Sequence, residues 1–408
     1  MRTILPIFVF CSTFLLAISL NAQDVVVTSP EEVGLSKERL MRLHHFLEKE
    51  ISTKEIAGSV ALVARKGKVV HYEAQGKPSL QGEMEIKKDA IFYIQSMTKP
   101  IITVAFMMLY EEGHFMINDP IEKYLPQFKD RVVWDPDKGA DSISAAKTPI
   151  TIAHLLSHTA GLTHGLGRTD LDRKYGMALY RQKHENIESR VNSMKDLPLI
   201  GHPGEQWYYS AAPDVLALLI EQFSGTPIDQ FLQERIFDPL KMKDTGYNLT
   251  ETQAKRAAAL HYKTKEGLVT APTSTKTSGN TVFGGTHGLF STARDYYQFS
   301  QMLLNGGKAN GVQFLSPKTL ELMTQNQVGD LYPAPGEGFG FGFGVVDDLA
   351  TYDLLGSEGQ FYWSGAYSTY FFIDPKEEMV VILMTQLAPS SRMLAKKLRL
   401  LVYQAIVD

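Results

Sequence analysis

The chain has 408 residues, enough for two to three domains at about 150 residues each. Its 44% hydrophobic and 21% charged residues describe an ordinary globular protein and exclude a disordered one. A net charge of −4 with no long Lys/Arg run argues against a nucleic-acid partner, which selects a clustered basic face.

Residues 1–22 read as a signal peptide. Arg2 precedes an apolar run over 4–20, and Asn21-Ala22-Gln23 supplies the polar, small-residue exit of a cleavage site. The mature protein is therefore expected to be exported, periplasmic or extracellular. Cleavage removes Cys11, the one cysteine, and with it any disulfide, thiol nucleophile or Cys-based metal site. Beyond the leader no apolar run reaches the ~18–20 residues of a membrane span, so no stable membrane association is expected.

Residues 35–51 carry Leu40, Leu43, Phe46 and Leu47 at helical spacing behind a Ser36 cap. Two strand-like runs, 59–64 and 68–74, flank Arg65-Lys66-Gly67, a tight hairpin signal. A buried helix is predicted from about Ser96 to Gly113. The middle of the chain changes character. It reads as a polar loop over 134–149, a short helix over 151–157, a polar helix over 169–194, and apolar helices over 213–223 and 228–236. Helices follow at 293–304 and near 316–326, then strands at 340–346, 368–373 and 379–383, and an amphipathic helix over 391–407. Strands joined by two- to four-residue turns should pair antiparallel, because parallel pairing needs a long crossover. The expected fold class is α/β, an antiparallel sheet flanked by helices with an inserted all-helical domain. The expected division is a discontinuous α/β domain, 24–125 plus 270–408, around a helical domain, 126–269.

The sharpest local feature is Ser96-Met97-Thr98-Lys99 at the start of the apolar helix. Residues three apart are neighbours on a helix, so the Ser96 hydroxyl and the Lys99 amine can meet. Serine needs an adjacent base, and lysine, near pKa ~10.4 in water, becomes one only if its charged form is disfavoured. Burial does this, as does the positive end of the helix dipole, and the same helix start offers backbone N–H groups to an oxyanion. A second copy of the spacing, Ser144-Ala145-Ala146-Lys147, lies in a polar loop with no apolar helix behind it. The segment Pro203-Gly204-Glu205-Gln206-Trp207-Tyr208-Tyr209-Ser210 leads into another helix. A tyrosine there can relay a proton if nearby positive charge lowers its pKa from about 10. Trp207 and Tyr208 are read as packing residues.

Other signatures are weaker. No Gly-x-Ser-x-Gly occurs, so a strand–elbow–helix hydrolase has no anchor. His154 and His158 are four apart, but the Glu of a zinc-protease helix and an evident third ligand are missing, and His164 lies past Gly161. Local hydrogen bonding is the preferred reading, with no metal and no cofactor. Lys276-Thr277-Ser278-Gly279 sits in a Thr/Ser-rich loop without a strand.

Taken together, the segments resemble the serine β-lactamase and penicillin-binding-protein superfamily, on the branch of class C β-lactamases and family VIII esterases. The matching stretches, in order, are 95–99, 152–162, 203–210, 284–292 continuing to Asn305-Gly306-Gly307, and 363–375. The resemblance implies a β-lactamase/transpeptidase-like fold, Ser96 as acylated nucleophile, Lys99 as its base or proton relay, and Tyr209 as the tyrosine of the Tyr-x-Asn box. It implies that Trp363-Ser364-Gly365 is the Lys-Thr-Gly box beside the substrate, and that the backbone N–H groups of Ser96 and Ala366 form the oxyanion hole. Two positions depart from the β-lactamase pattern: Ala211 replaces Asn and Trp363 replaces Lys. Those side chains hold the amide and the ring carboxylate of a β-lactam, and an ester needs neither. A small-molecule ester is the expected substrate. The alternatives are a β-lactamase, D-amino-acid peptidase or acyl transferase on the same site, or a non-catalytic binding protein on this scaffold. Pocket walls are expected from 162–196 and 327–343.

Overall fold

The computed structural model describes residues 25–139 and 142–408, so the expected leader and Cys11 lie outside the described residues. The first helix, α1 (Lys37–Ser52), starts where the Ser36 side chain accepts from the Arg39 N–H. Strands β1 (Gly58–Arg65) and β2 (Lys68–Gly76) form the expected hairpin. Lys66 and Gly67 both adopt positive φ at its turn, as a two-residue hairpin of matching twist requires. Helix α2 (Thr98–Glu111) is apolar all round and buried over its first 12 residues, which makes it the central helix of the molecule.

Helix α3 (Ala212–Ser224) packs on α2. The predicted single helix over 169–194 is instead three short pieces, Asp170–Gly176, Met177–Arg181 and Ile187–Asn192. Capping boxes at Thr169 and Asn186 start new helices, so side-chain bonds to the backbone win over continuation. The middle of the chain also carries two short hairpins, Val132–Trp134 with Ile143–Ala145 and His261–Thr264 with Gly267–Thr270. Helix α4 (Ala293–Leu304) occupies its predicted span.

The predicted strand over 340–346 is a hairpin, β3 (Glu337–Phe339) and β4 (Gly344–Val346). Gly342 turns the chain with φ +83°, and a Cβ on it would stand 2.4 Å from Thr103 Oγ1 of α2. The remaining strands are β5 (Phe361–Ser364), β6 (Tyr370–Asp374) and β7 (Met379–Met384), followed by α5 (Arg392–Tyr403). The seven strands form one antiparallel sheet in the order β3-β4-β5-β6-β7-β1-β2, so the last strand of this sheet pairs with its first.

Every residue of β7 is buried, and the pleat divides them. Val380, Ile382 and Met384 join the core containing α2, α3 and α4, whereas Met379, Val381 and Leu383 join the core beneath α1 and α5. This explains why β7 reads as an unbroken apolar run although the sheet is antiparallel. Among the described residues no helix is long and apolar enough to cross a membrane. Leu383→Ala should lower the unfolding free energy by about 2–5 kcal/mol in urea titrations, since the side chain is fully buried between β1 and β6.

Candidate active site

Ser96 sits on a single 3₁₀ turn, Gln95–Met97, that opens directly into α2. Gln95 adopts φ +49°, a left-handed conformation that turns the chain sharply before the serine. Lys99 lies in the first turn of α2 and is 2% exposed. Its Nζ donates to Ser96 Oγ at 3.0 Å and to the Thr286 carbonyl at 2.8 Å. Burial lowers its pKa to about 7, Asp214 opposes that shift and Arg190 reinforces it.

Tyr209 comes from the loop before α3. Lys99 Nζ stands 4.5 Å from its ring centroid, its hydroxyl contacts Ser96, and Trp363 Nε1–H donates to its oxygen at 3.4 Å. The expected lowering by positive charge is corrected here. Burial dominates and pushes the phenol up to about 12, with the Ser96 and Trp363 contacts only partly offsetting it. At neutral pH the Tyr209 phenol therefore keeps its proton, whereas burial disfavours the charged form of the Lys99 amine.

Trp363 is buried on β5, and Ser364 is exposed at that strand's end. Gly365 has a backbone reason to be glycine: a Cβ there would stand 2.5 Å from the Ile94 carbonyl oxygen. Thr369 Oγ1 donates to the same carbonyl at 3.4 Å, tying the bend after β5 to the segment that leads into Ser96. Ala366 lies exposed in that bend. The strand end and the helix start are thereby held side by side.

Behind Lys99 is a buried polar network that the motifs do not reveal. Arg190 Nε and Asp214 Oδ2 form an ion pair at 3.0 Å, with Asp214 fully buried. Asp214 Oδ1 accepts from the Thr286 N–H at 2.7 Å, so it fixes the peptide unit whose carbonyl receives Lys99. Arg190 Nη2 also meets His287 Nε2 at 3.1 Å, and His287 Nδ1 meets the Tyr93 hydroxyl at 3.2 Å. Burial and the Arg190 charge push the His287 pKa down, which keeps the ring neutral. One signal was visible: Asp214 is the charged residue within the otherwise apolar stretch 212–220 of α3.

The remaining candidates stay outside the Ser96–Lys99 contact, although the His158 and His164 rings stand 5.0 and 5.5 Å from that of Tyr209. Lys147 pairs with Glu205 at 2.6 Å, and Ser144 lies in a hairpin strand. Lys276 Nζ bonds the Gly279 carbonyl within its own loop. His154 Nδ1 accepts from the Thr151 N–H as half of a capping box, and His158 Nδ1 meets Ser210 Oγ at 2.9 Å. Tyr208 packs locally, whereas Trp207 stacks on Tyr209 and Phe339 and lines a cavity of about 670 Å³. That cavity reaches from Tyr209 and Trp363 to α5, and its outer wall is 332–337 and 351–354. The segment 162–196 does not line it; it supplies Arg190 and Tyr180 to the network instead.

The fold and this serine–lysine–tyrosine cluster together define a class of hydrolase. A family model described as Beta-lactamase matches residues 43–404, and the chain belongs to the Beta-lactamase family. It is 31% identical over 353 residues to protein Rv1367c of Mycobacterium tuberculosis, covering 82% of this chain and 86% of that one. It is 26% identical to esterase EstB of Burkholderia gladioli, over 85% of this chain and 90% of that one. The solved structure of EstCE1, titled a hydrolase with promiscuous acyltransferase activity, superposes with a TM-score of 0.79 at 26% identity, covering 90% of this chain and 99% of EstCE1.

Asp214→Asn leaves Arg190 as a buried cation without its counter-ion. It should cost about 3–5 kcal/mol of stability, measured by denaturant unfolding at neutral pH.

Proposed function

We propose that the protein is a serine carboxylic-ester hydrolase working through an acyl-enzyme on Ser96. The observation that carries the reading is the 3.0 Å contact between Ser96 Oγ and an amine whose pKa burial lowers to about 7. Neutral Lys99 takes the Ser96 proton as the oxygen attacks the ester carbonyl. The backbone N–H groups of Ser96 and Ala366 face the developing oxyanion, as preorganised donors at a helix start and a strand end. The Tyr209 phenol gives its proton to the leaving alkoxide and is reprotonated from the Lys99 ammonium. Water then attacks the acyl carbonyl while Lys99 again accepts a proton, which it passes to Ser96 Oγ as the acyl–oxygen bond breaks, restoring the free serine and the neutral amine.

Substrate class follows from what the site lacks. Ala211, fully buried at the start of α3, offers no side-chain amide, and Trp363 replaces a cation with an apolar wall. Both changes favour an ester over a β-lactam. EstB is named an esterase, and EstCE1 is described as able to transfer acyl groups. Transfer to an alcohol is the second reading, favoured by the aromatic walls formed by Trp207, Phe339 and Trp363, which restrict water. An expected leader over 1–22 makes an exported site of action part of the proposal.

Ser96→Ala should abolish burst labelling by a 4-nitrophenyl ester and lower kcat by about 10⁴-fold or more, because no other group can carry the acyl chain. Persistent turnover at the wild-type rate would remove the scheme. Ester hydrolysis should exceed nitrocefin hydrolysis by a wide margin in parallel assays.

The pH dependence has a defined sign. Lys99 acts unprotonated, so kcat/KM should rise with pH through about 7 and then level. Asp214, Arg190, His158, His164 and His287 all lie in its field, and burial pushes the three histidines down toward the neutral ring. Tyr209→Phe should lower kcat while leaving that pH limb in place, since the phenol stays protonated throughout.

A further inference from the structure

Tyr209 carries the proposed proton donor, yet residues 206–210 belong to no helix or strand. A loop residue is placed only by what binds its backbone and what packs on its side chain. Two backbone bonds bracket the phenol, and both run to His158. The His158 carbonyl accepts from the Tyr208 N–H at 2.9 Å, and its Nδ1 accepts from the Ser210 N–H at 3.3 Å. The same Nδ1 meets Ser210 Oγ at 2.9 Å, and that oxygen accepts from the Ala212 N–H at the start of α3, at 3.3 Å. The imidazole also packs on the Tyr209 ring, with centroids 5.0 Å apart. One residue therefore grips the loop just before the phenol, just after it and at the ring.

Local backbone energetics would not choose histidine here. His158 follows the short helix Ile152–Leu156 and its C-cap Ser157, and it adopts φ +58°. Glycine is the usual occupant of a left-handed position after a helix, because a Cβ is strained there. The imidazole is nevertheless held at 2% exposure against the proton donor. Its state suits an acceptor. Burial pushes its pKa well below the ordinary histidine range, and Lys99 and His164 add to the effect. A neutral ring with its proton on Nε2 leaves Nδ1 to accept from the Ser210 N–H and hydroxyl.

We propose that His158 is the positioning residue for Tyr209, holding the loop so that the phenol stands where it can protonate the leaving alkoxide. The inference rests on the ester-hydrolase reading above and adds the group that sets its acid in place. Among the described residues no hydrogen bond joins His158 to Ser96 or Lys99, so the phenol is its route to the reaction.

The test uses two esters with one acyl group. Ethyl butyrate has a poor leaving group that needs a proton, whereas 4-nitrophenyl butyrate has a good one that does not. In His158→Leu, kcat/KM should fall by about thirtyfold on the ethyl ester and by about threefold or less on the nitrophenyl ester, the scale of a misplaced catalytic group. Tyr209→Phe should show the same dependence on the ester. In a Tyr209→Phe background, His158→Leu should cost less than about twofold more on ethyl butyrate, because residues acting through one contact are not additive. His158→Asn tolerates positive φ and keeps a side-chain acceptor, so it should recover most of the loss. If His158→Leu does not fold, Ser210→Ala decides. It removes the hydroxyl that meets Nδ1 and should lower the ethyl-to-nitrophenyl ratio by about threefold.

Equal losses on both esters, additive losses in the double variant, no recovery by asparagine, or an unchanged ester ratio overturn the proposal. Any of these with Ser96 still acylated by 4-nitrophenyl butyrate overturns this inference alone. Wild-type protein that never acylates Ser96 overturns the hydrolase reading and this inference with it.

Discussion

The proposed chemistry depends on keeping one amine out of water. In solution Lys99 would be an ammonium and Ser96 an ordinary alcohol. Inside the protein the amine is enclosed by the first turn of α2, the Thr286 carbonyl and the ring of Tyr209. The two charges nearest in the network act on it in opposite senses, Asp214 favouring the ammonium and Arg190 opposing it. Solvent exclusion therefore decides the outcome, and the ion pair serves chiefly to hold the Thr286 peptide where it can receive the amine.

That exclusion is a product of packing. Helix α2 is covered on all sides, by the sheet face carrying Val60, Leu62 and Ile382 and by α3 and α4. Two glycines set the clearances. Gly342 lets the β3–β4 turn close over Thr103 of α2, and Gly365 lets the end of β5 lie against the Ile94 carbonyl. A methyl group at Gly365 would press on the Ile94 backbone that leads into the serine, and one at Gly342 on the Thr103 side chain, one turn along α2 from Lys99.

How much of this was legible in the sequence follows from the range of each signal. Ser96 and Lys99 are one helical turn apart, so their meeting is a local fact that spacing can state. The helices over 37–52, 98–111 and 293–304 and the β1–β2 hairpin carried their own periodicity and caps, and were readable for the same reason. Tyr209 and Trp363 needed a family pattern, because nothing near them in sequence says that the phenol meets Ser96 or that the indole meets the phenol. The Arg190–Asp214–His287 network had no such pattern, since its members come from three segments and only Asp214, in an apolar helix, stands out alone. The phenol was misjudged because a positive neighbour is visible in a motif, whereas desolvation is visible only in three dimensions.

The strand order carries one more implication. β7, nearly the last strand to be synthesised, is wedged between β6 and β1, so it is the seam joining the two halves of the sheet. Its pairing with β1 joins residues more than 300 positions apart, and contacts of that range make sheet closure a comparatively slow step of folding.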